Sequence, residues 1–127
     1  MDLDREAWRS FTVIEAKRIM KRLGMAPGGG IPALIRALGY RLYARINEQE
    51  VVEESATHCV FQMKTCRVQD ARKRQGLPDF PCKSVGIIEY GEFARTIDER
   101  IGTTCLSCPP DPKPADAWCV WEFRLKA

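Results

Sequence analysis

Trp8, Phe11, Ile14 (or Val13), Ile19, Met20 and Leu23 recur at steps of three to five residues, the spacing that gathers side chains on one face of a helix. The pattern predicts an amphipathic helix over residues 4–23. Asp2 or Asp4 is placed to cap its start, and Gly24 to end it. Pro32 suits the first turn of a second helix, with Leu34, Ile35 and Leu38 inward and Gly39 as its stop. Residues 40–54 fit two readings. Tyr40, Leu42, Ala44 and Ile46 alternate like a strand, and the same segment also prolongs the helix.

The period then changes to two. Residues 57–65 predict a strand with Cys59, Phe61 and Met63 on one face and Val60, Gln62 and Lys64 on the other. Residues 67–75 predict a short polar helix ended by Gly76. A Leu-Pro-Asp-Phe-Pro loop follows, and then a helix over residues 84–100. Its inner stripe is Ile88 (or Ile87), Phe93, Ile97 and Ile101, with Gly102 as its stop. Residues 103–108 and 117–125 predict a hairpin joined by a wide proline-rich loop. Cys119, Trp121, Phe123 and Leu125 share one face of its last strand, and Trp118 and Val120 point away. The sum is a single α+β domain, a small antiparallel sheet with helices mainly on one side. Residues 1–56 form a helical N-terminal part and residues 57–127 a cysteine-rich α+β part.

At 127 residues the chain suits one modest core. The net charge of +3 is too mild to predict nucleic-acid binding, and Lys17-Arg18, Lys21-Arg22 and Arg72-Lys73-Arg74 read as solvated helix faces. No apolar run reaches the roughly 18 residues of a membrane span. Gly28-Gly29-Gly30 lacks the Lys and Ser or Thr of a phosphate-binding loop. Both faces of the last strand are partly apolar. Two-sided cover is therefore expected, which a homodimer or the chain's own helices would provide.

Cysteine changes the picture most. The chain has six: Cys59, Cys66, Cys82, Cys105, Cys108 and Cys119. The charged opening Met1-Asp2-Leu3-Asp4-Arg5-Glu6 predicts no secretory leader, hence a reducing, cytoplasmic setting. Cysteines there point to metal binding or thiol chemistry rather than bridges. Cys105-Leu106-Ser107-Cys108-Pro109-Pro110 is a C-x-x-C, whose two sulfurs can reach one ion at about 2.3 Å. Hairpin pairing brings Cys119 near that motif. The helix over residues 67–75 is roughly 13 Å long, and the loop after it can retrace that distance, so Cys66 and Cys82 can meet at the same end of the sheet. The expected metal ligands are Cys66, Cys82, Cys108 and Cys119, with Cys105 as a fifth candidate and zinc as the ion.

Other readings remain beside it. One C-x-x-C is fewer than a zinc ribbon needs, and Cys108-Pro109 matches only the end of an iron–sulfur pattern. Cys82 precedes a helix N-terminus, which favours thiolate, with Lys83 adding to the effect; a thiol enzyme using Cys82 or Cys66, either a hydrolase of a small sulfur- or nitrogen-containing acid or a redox protein, is the alternative. Cys59, between strand residues, reads as a small core hydrophobe. His58 is the one histidine, and its neighbour Cys59 points to the opposite strand face, so a dyad between them is not expected. Glu89 and Glu92 suit the helix dipole, and Glu89 is also placed to turn toward the cysteines as an oxygen ligand. Trp121 and Phe123 read as core, or as the wall of an apolar pocket able to take a small molecule.

Cys66-Arg67-Val68-Gln69, residues 76–83, Glu89-Tyr90, residues 105–111 and residues 118–123 carry a resemblance. Through them the C-terminal half resembles a bacterial family of small uncharacterised cysteine-rich cytosolic proteins. More distantly it is similar to the aminothiazoline-carboxylate hydrolase family and the vinyl-reductase-type sensor domain. The sensor resemblance implies small-molecule binding and a zinc site at Cys66, Cys82, Cys105 or Cys108, and Cys119. The hydrolase resemblance implies a catalytic cysteine and a small sulfur- or nitrogen-containing acid as substrate.

Overall fold

The computed structural model describes residues 2–41, 43–79, 81–109, 111 and 117–126. Along them run α1 (Asp2–Leu23), α2 (Gly30–Leu38), a single turn α3 (Tyr43–Ile46), β1 (Gln49–Glu54), β2 (His58–Met63), α4 (Arg67–Arg74), α5 (Lys83–Ile97), β3 (Ile101–Ser107) and β4 (Cys119–Leu125). The strands form one antiparallel sheet in the order β1-β2-β4-β3. The expected α+β class is therefore what the chain adopts. The ambiguous segment resolves as a helical turn followed by an edge strand. Leu42, Phe80 and much of the proline loop after Asp111 lie outside the described residues, as does the side-chain capping expected of Asp2 or Asp4.

The core lies between one sheet face and α1, α2 and α5. Phe61, Trp121 and Phe123 are essentially buried on the sheet side, against Ala16, Leu34, Leu38, Phe93 and Ile97 from the helices. Each large apolar side chain so buried contributes about 1.5–3 kcal/mol before entropy is subtracted. The alternation expected for β2 and β4 is realised. On the opposite face Val60, Ala117 and Val120 form a smaller buried cluster, while Val52 and Leu106 stay exposed.

Two helix faces differ from expectation. In α1 the buried stripe is Thr12, Ala16, Ile19 and Met20, and Phe11 and Ile14 are half exposed. The small side chains of Thr12 and Ala16 let α1 approach α5 closely, and close approach outweighs the transfer of larger side chains at its N-terminal half. In α5 the inner face is Val85, Gly86, Glu89, Tyr90, Phe93, Ala94 and Ile97, with Ile87 exposed. The helix also stops earlier than expected, so Ile101 and Gly102 belong to β3.

A buried carboxylate causes that early stop. Asp98 is extended (φ −155°, ψ 115°), and its Oδ2 accepts the N–H of Gly30 at 3.0 Å and pairs with Arg100 Nη2 at 2.7 Å. Gly30 has φ +73°, a conformation that glycine adopts without strain. One side chain therefore starts α2, ends α5 and opens β3.

Candidate thiol site

At the other end of the sheet, four cysteines come together from four places. Cys119 opens β4, opposite Met63 at the end of β2. Cys66 is the extended residue immediately before α4. Cys82 is the N-cap of α5, and its C=O accepts the first helical bond, from Gly86 N–H at 2.8 Å. Cys108 follows β3. These four line one cavity of about 340 Å³, whose walls are otherwise mostly apolar: Trp8, Met63, Val85, Tyr90 and Trp121.

Cys105, the fifth candidate, does not line this cavity. A bulge at Leu106 shifts the β3–β4 register between Cys105 and Ser107, so the two cysteines of the C-x-x-C part company. Cys59 is fully buried in the core, as expected. His58 lies at the far end of β2, five residues or about 17 Å from Met63, with its Nε2 3.0 Å from Glu122 Oε2.

The sulfurs of Cys82 and Cys108 lie 3.4 Å apart. Their backbones are stitched together. Lys83 N–H donates to the C=O of Pro109 at 3.0 Å. Asp111 exchanges bonds with Cys108 in both directions, its carboxylate accepting the Cys108 N–H at 3.3 Å and its own N–H reaching the Cys108 C=O at 2.8 Å. Lys83 Nζ closes the ring at 3.0 Å from Asp111 Oδ2. Asp111 was not singled out in the sequence, although Cys-Pro-Pro-Asp carries the turn chemistry that produces such a ring.

Two further polar groups had no chemical role assigned from the sequence, the Gln69 amide and the Trp121 indole N–H. Gln69 is 2% exposed and is the one buried residue of α4. Its Nε2 donates to Cys82 Sγ at 3.6 Å. Trp121 is fully buried, and among the described residues its indole N–H has no hydrogen-bond partner at full bonding distance; it lies toward Cys119, where it favours the thiolate. The sequence signal for Gln69 was its place in Cys66-Arg67-Val68-Gln69, among the residues that carry the resemblance. Gly86 makes room for Trp121, since a Cβ there would sit 2.9 Å from the ring's Cζ2.

These contacts divide the thiols. A hydrogen bond from Cys108 holds the Cys82 thiol down to about 7, with Gln69 helping and burial opposing. Cys119 is lowered too, again through Cys108 first. Cys108 is pushed up because it hydrogen-bonds to Cys119 and Cys82, so the proton stays in the middle of the row. Burial raises Cys66 and Cys105. Lys83, expected to favour the Cys82 thiolate, has its ammonium tied to Asp111 instead.

A fixed ion pair stands behind the sulfurs. Arg41, 2% exposed, reaches Glu89 Oε1 at 2.7 Å and Glu15 Oε1 at 3.0 Å, and lies over the Phe93 ring at 4.9 Å. Burial alone would weaken the charge on Arg41, but the attraction of Glu89 and its neighbours outweighs it and raises the pKa. Glu89 lines the cavity but gives an oxygen to Arg41 rather than to the cysteines. Among the described residues, no group of three or more His, Cys, Asp or Glu side chains is arranged to hold a metal ion. The zinc reading thus has its four cysteines in one cavity without their convergence on a point. All six cysteines are free, and no helix among the described residues is long and apolar enough to cross a membrane.

No curated protein matches this chain. A family profile matches residues 1–125, nearly its whole length, and by that match the chain belongs to the family of unknown function DUF6125.

Proposed function

We propose that the protein is a thiol-dependent redox domain acting on a small, mostly apolar molecule in a reducing, cytoplasmic setting. Cys82 is the attacking thiolate and Cys108 its resolving partner. The observation that carries this reading is the pair of sulfurs 3.4 Å apart inside an apolar cavity, one of them held near neutrality. A suitable co-substrate class is a low-molecular-weight disulfide. The Cys82 thiolate attacks one of its sulfurs, the S–S bond breaks, and one small thiolate leaves. Cys108 then gives up its proton to solvent and attacks Cys82, releasing the second thiolate. The pair loses two electrons as the Cys82–Cys108 disulfide forms, and the small disulfide gains them as two thiols. A hydrolase is less well supported. Its cysteine would need a base, and His58 is at the wrong end of the sheet while Glu89 is held by Arg41.

A specific observation favours a second reading. Four cysteines from four segments share one cavity, and two of them have N–H groups directed at them, the environment of a metal thiolate. Zinc would be held by Cys66, Cys82, Cys108 and Cys119 and would supply a structural or ligand-binding centre. The resemblance to the vinyl-reductase-type sensor domain supports this, and an iron–sulfur cluster is its brown-coloured variant. One experiment separates the readings: iodoacetamide labelling at neutral pH, with and without a chelator, alongside metal analysis of untagged protein. Fast labelling of Cys82 without chelator supports the redox domain. Protection that only a chelator releases, with about one zinc per chain, would replace it with the metal centre.

A further inference from the structure

Gln69 is out of place by the usual logic of burial. α4 reads Arg-Val-Gln-Asp-Ala-Arg-Lys-Arg, and its one apolar side chain of any size, Val68, is 58% exposed. The residue it buries is instead an amide. Long polar side chains are buried when a partner repays their desolvation, and here a partner on the cavity side is the Cys82 sulfur. Other ties of α4 are polar as well. Asp70 accepts the Trp118 indole N–H at 2.8 Å and the Cys66 N–H at 3.3 Å, Arg72 donates to the C=O of Pro78 at 2.8 Å, and the Arg67 N–H donates to Asn47 at 2.7 Å. Residues 66–69 nevertheless form one wall of the cavity. A helix whose largest apolar side chain is exposed thus walls the site through polar contacts, one of them to a thiol of the cavity.

We propose that Gln69 is a positioning residue for Cys82, and that the same N–H···S contact latches α4 over the cavity, so that the chemical state of Cys82 sets how firmly that wall closes. The inference rests on the thiol reading above. The reduced Cys82 sulfur accepts the amide N–H and holds the latch. In the Cys82–Cys108 disulfide the sulfur carries neither charge nor proton, and the contact weakens. The wall then loosens as the pair is oxidised, which lets the product leave and gives a reductant access to the disulfide.

Hydrogen exchange of the α4 amides, in the reduced protein and after oxidation of the Cys82–Cys108 pair, tests the latch. Gln69→Leu removes the donor, and Cys82→Ala removes the acceptor from the other side. Both reduced variants are expected to exchange about tenfold faster across α4 while α5 and the sheet keep their protection. Oxidation should speed α4 exchange in the wild-type protein and leave it unchanged in Gln69→Leu, which a merely structural role would not produce. Unchanged α4 exchange in Cys82→Ala, or an oxidation effect that persists in folded Gln69→Leu, overturns the proposal. Should Gln69→Leu fail to fold, exchange in Cys82→Ala still decides. Slow alkylation of Cys82 in the wild-type protein would instead defeat the redox reading, and the exchange comparison would judge the latch separately.

Discussion

The same strands end in two different chemistries. At one end, where β3 begins and β4 finishes, oxygen and nitrogen close the structure: Asp98 with Gly30 and Arg100, and Glu122 with His58 and Arg124. At the other, where β2 finishes and β4 begins, sulfur lines an open cavity. The Arg100 side chain, foremost by its hydrogen bond, holds the Asp98 carboxyl near 2, well below its ordinary value. The Cys82 thiol sits near 7, where a small change of surroundings changes its state. The contrast teaches which end is scaffold and which is able to react: a fully satisfied ionic end resists titration, and a sulfur end poised at neutrality invites it.

The largest effect should therefore come from the scaffold end. Asp98→Ala leaves the buried Gly30 N–H without its acceptor and frees the junction of α2, α5 and β3. It should cost about 3 kcal/mol in urea unfolding, whereas Cys82→Ser should cost well under half of that. A comparable loss in both variants would erase the distinction. The pH dependence follows the same line. The folded Asp98 carboxyl is lowered from its usual 3.8 to about 2, so its contribution is fully present above the higher value and is lost as pH falls through the lower one. Thermal melts from pH 5 down to pH 2 should show this loss, and Asp98→Asn should flatten it.

Gly86→Ala comes next. The added methyl meets Trp121 at 2.9 Å and approaches Cys108 Sγ at 3.9 Å. The ring is rigid and fully buried, so a cost of about 2 kcal/mol is expected, together with slower and less selective labelling of Cys82. A fully stable variant with unaltered labelling would mean that Trp121 has room the structure does not show.

The smallest effect concerns the C-x-x-C. Cys105→Ser should leave both stability and Cys82 labelling within experimental error, since the bulge at Leu106 turns Cys105 away from the cavity. Cys108→Ser should slow the Cys82 reaction, because the thiol that donates to Cys82 is gone. Equal effects from the two variants would show that the motif acts as a unit after all.

Much of the fold was legible. The two-residue spacing in β2 and β4 named Cys59, Phe61, Trp121 and Phe123 as core, because aromatic side chains recurring on one strand face leave a period that few other arrangements imitate. The return of Cys66 and Cys82 to one end of the sheet followed from chain reach alone. What stayed hidden depended on tertiary partners. Phe11 and Ile14 looked inward until α5 approached the small side of α1, and Ile101 looked helical until the Asp98 side chain ended α5. In the site, the C-x-x-C was the most visible signal, yet half of it lies outside the cavity. The residues that set the sulfur chemistry, Gln69 and Asp111 through hydrogen bonds and Trp121 through an indole N–H turned toward Cys119, act by contacts that no spacing rule encodes.

The most direct test of the sulfur end is the rate of iodoacetamide labelling at each cysteine, followed by peptide mass mapping between pH 5 and pH 10. The account predicts that Cys82 reacts first, with a midpoint near 7, and that Cys59, held up near 11 by burial, reacts last. A Cys82 midpoint at or above the ordinary thiol value of about 8.5, or equal rates at all the cavity cysteines, would contradict it.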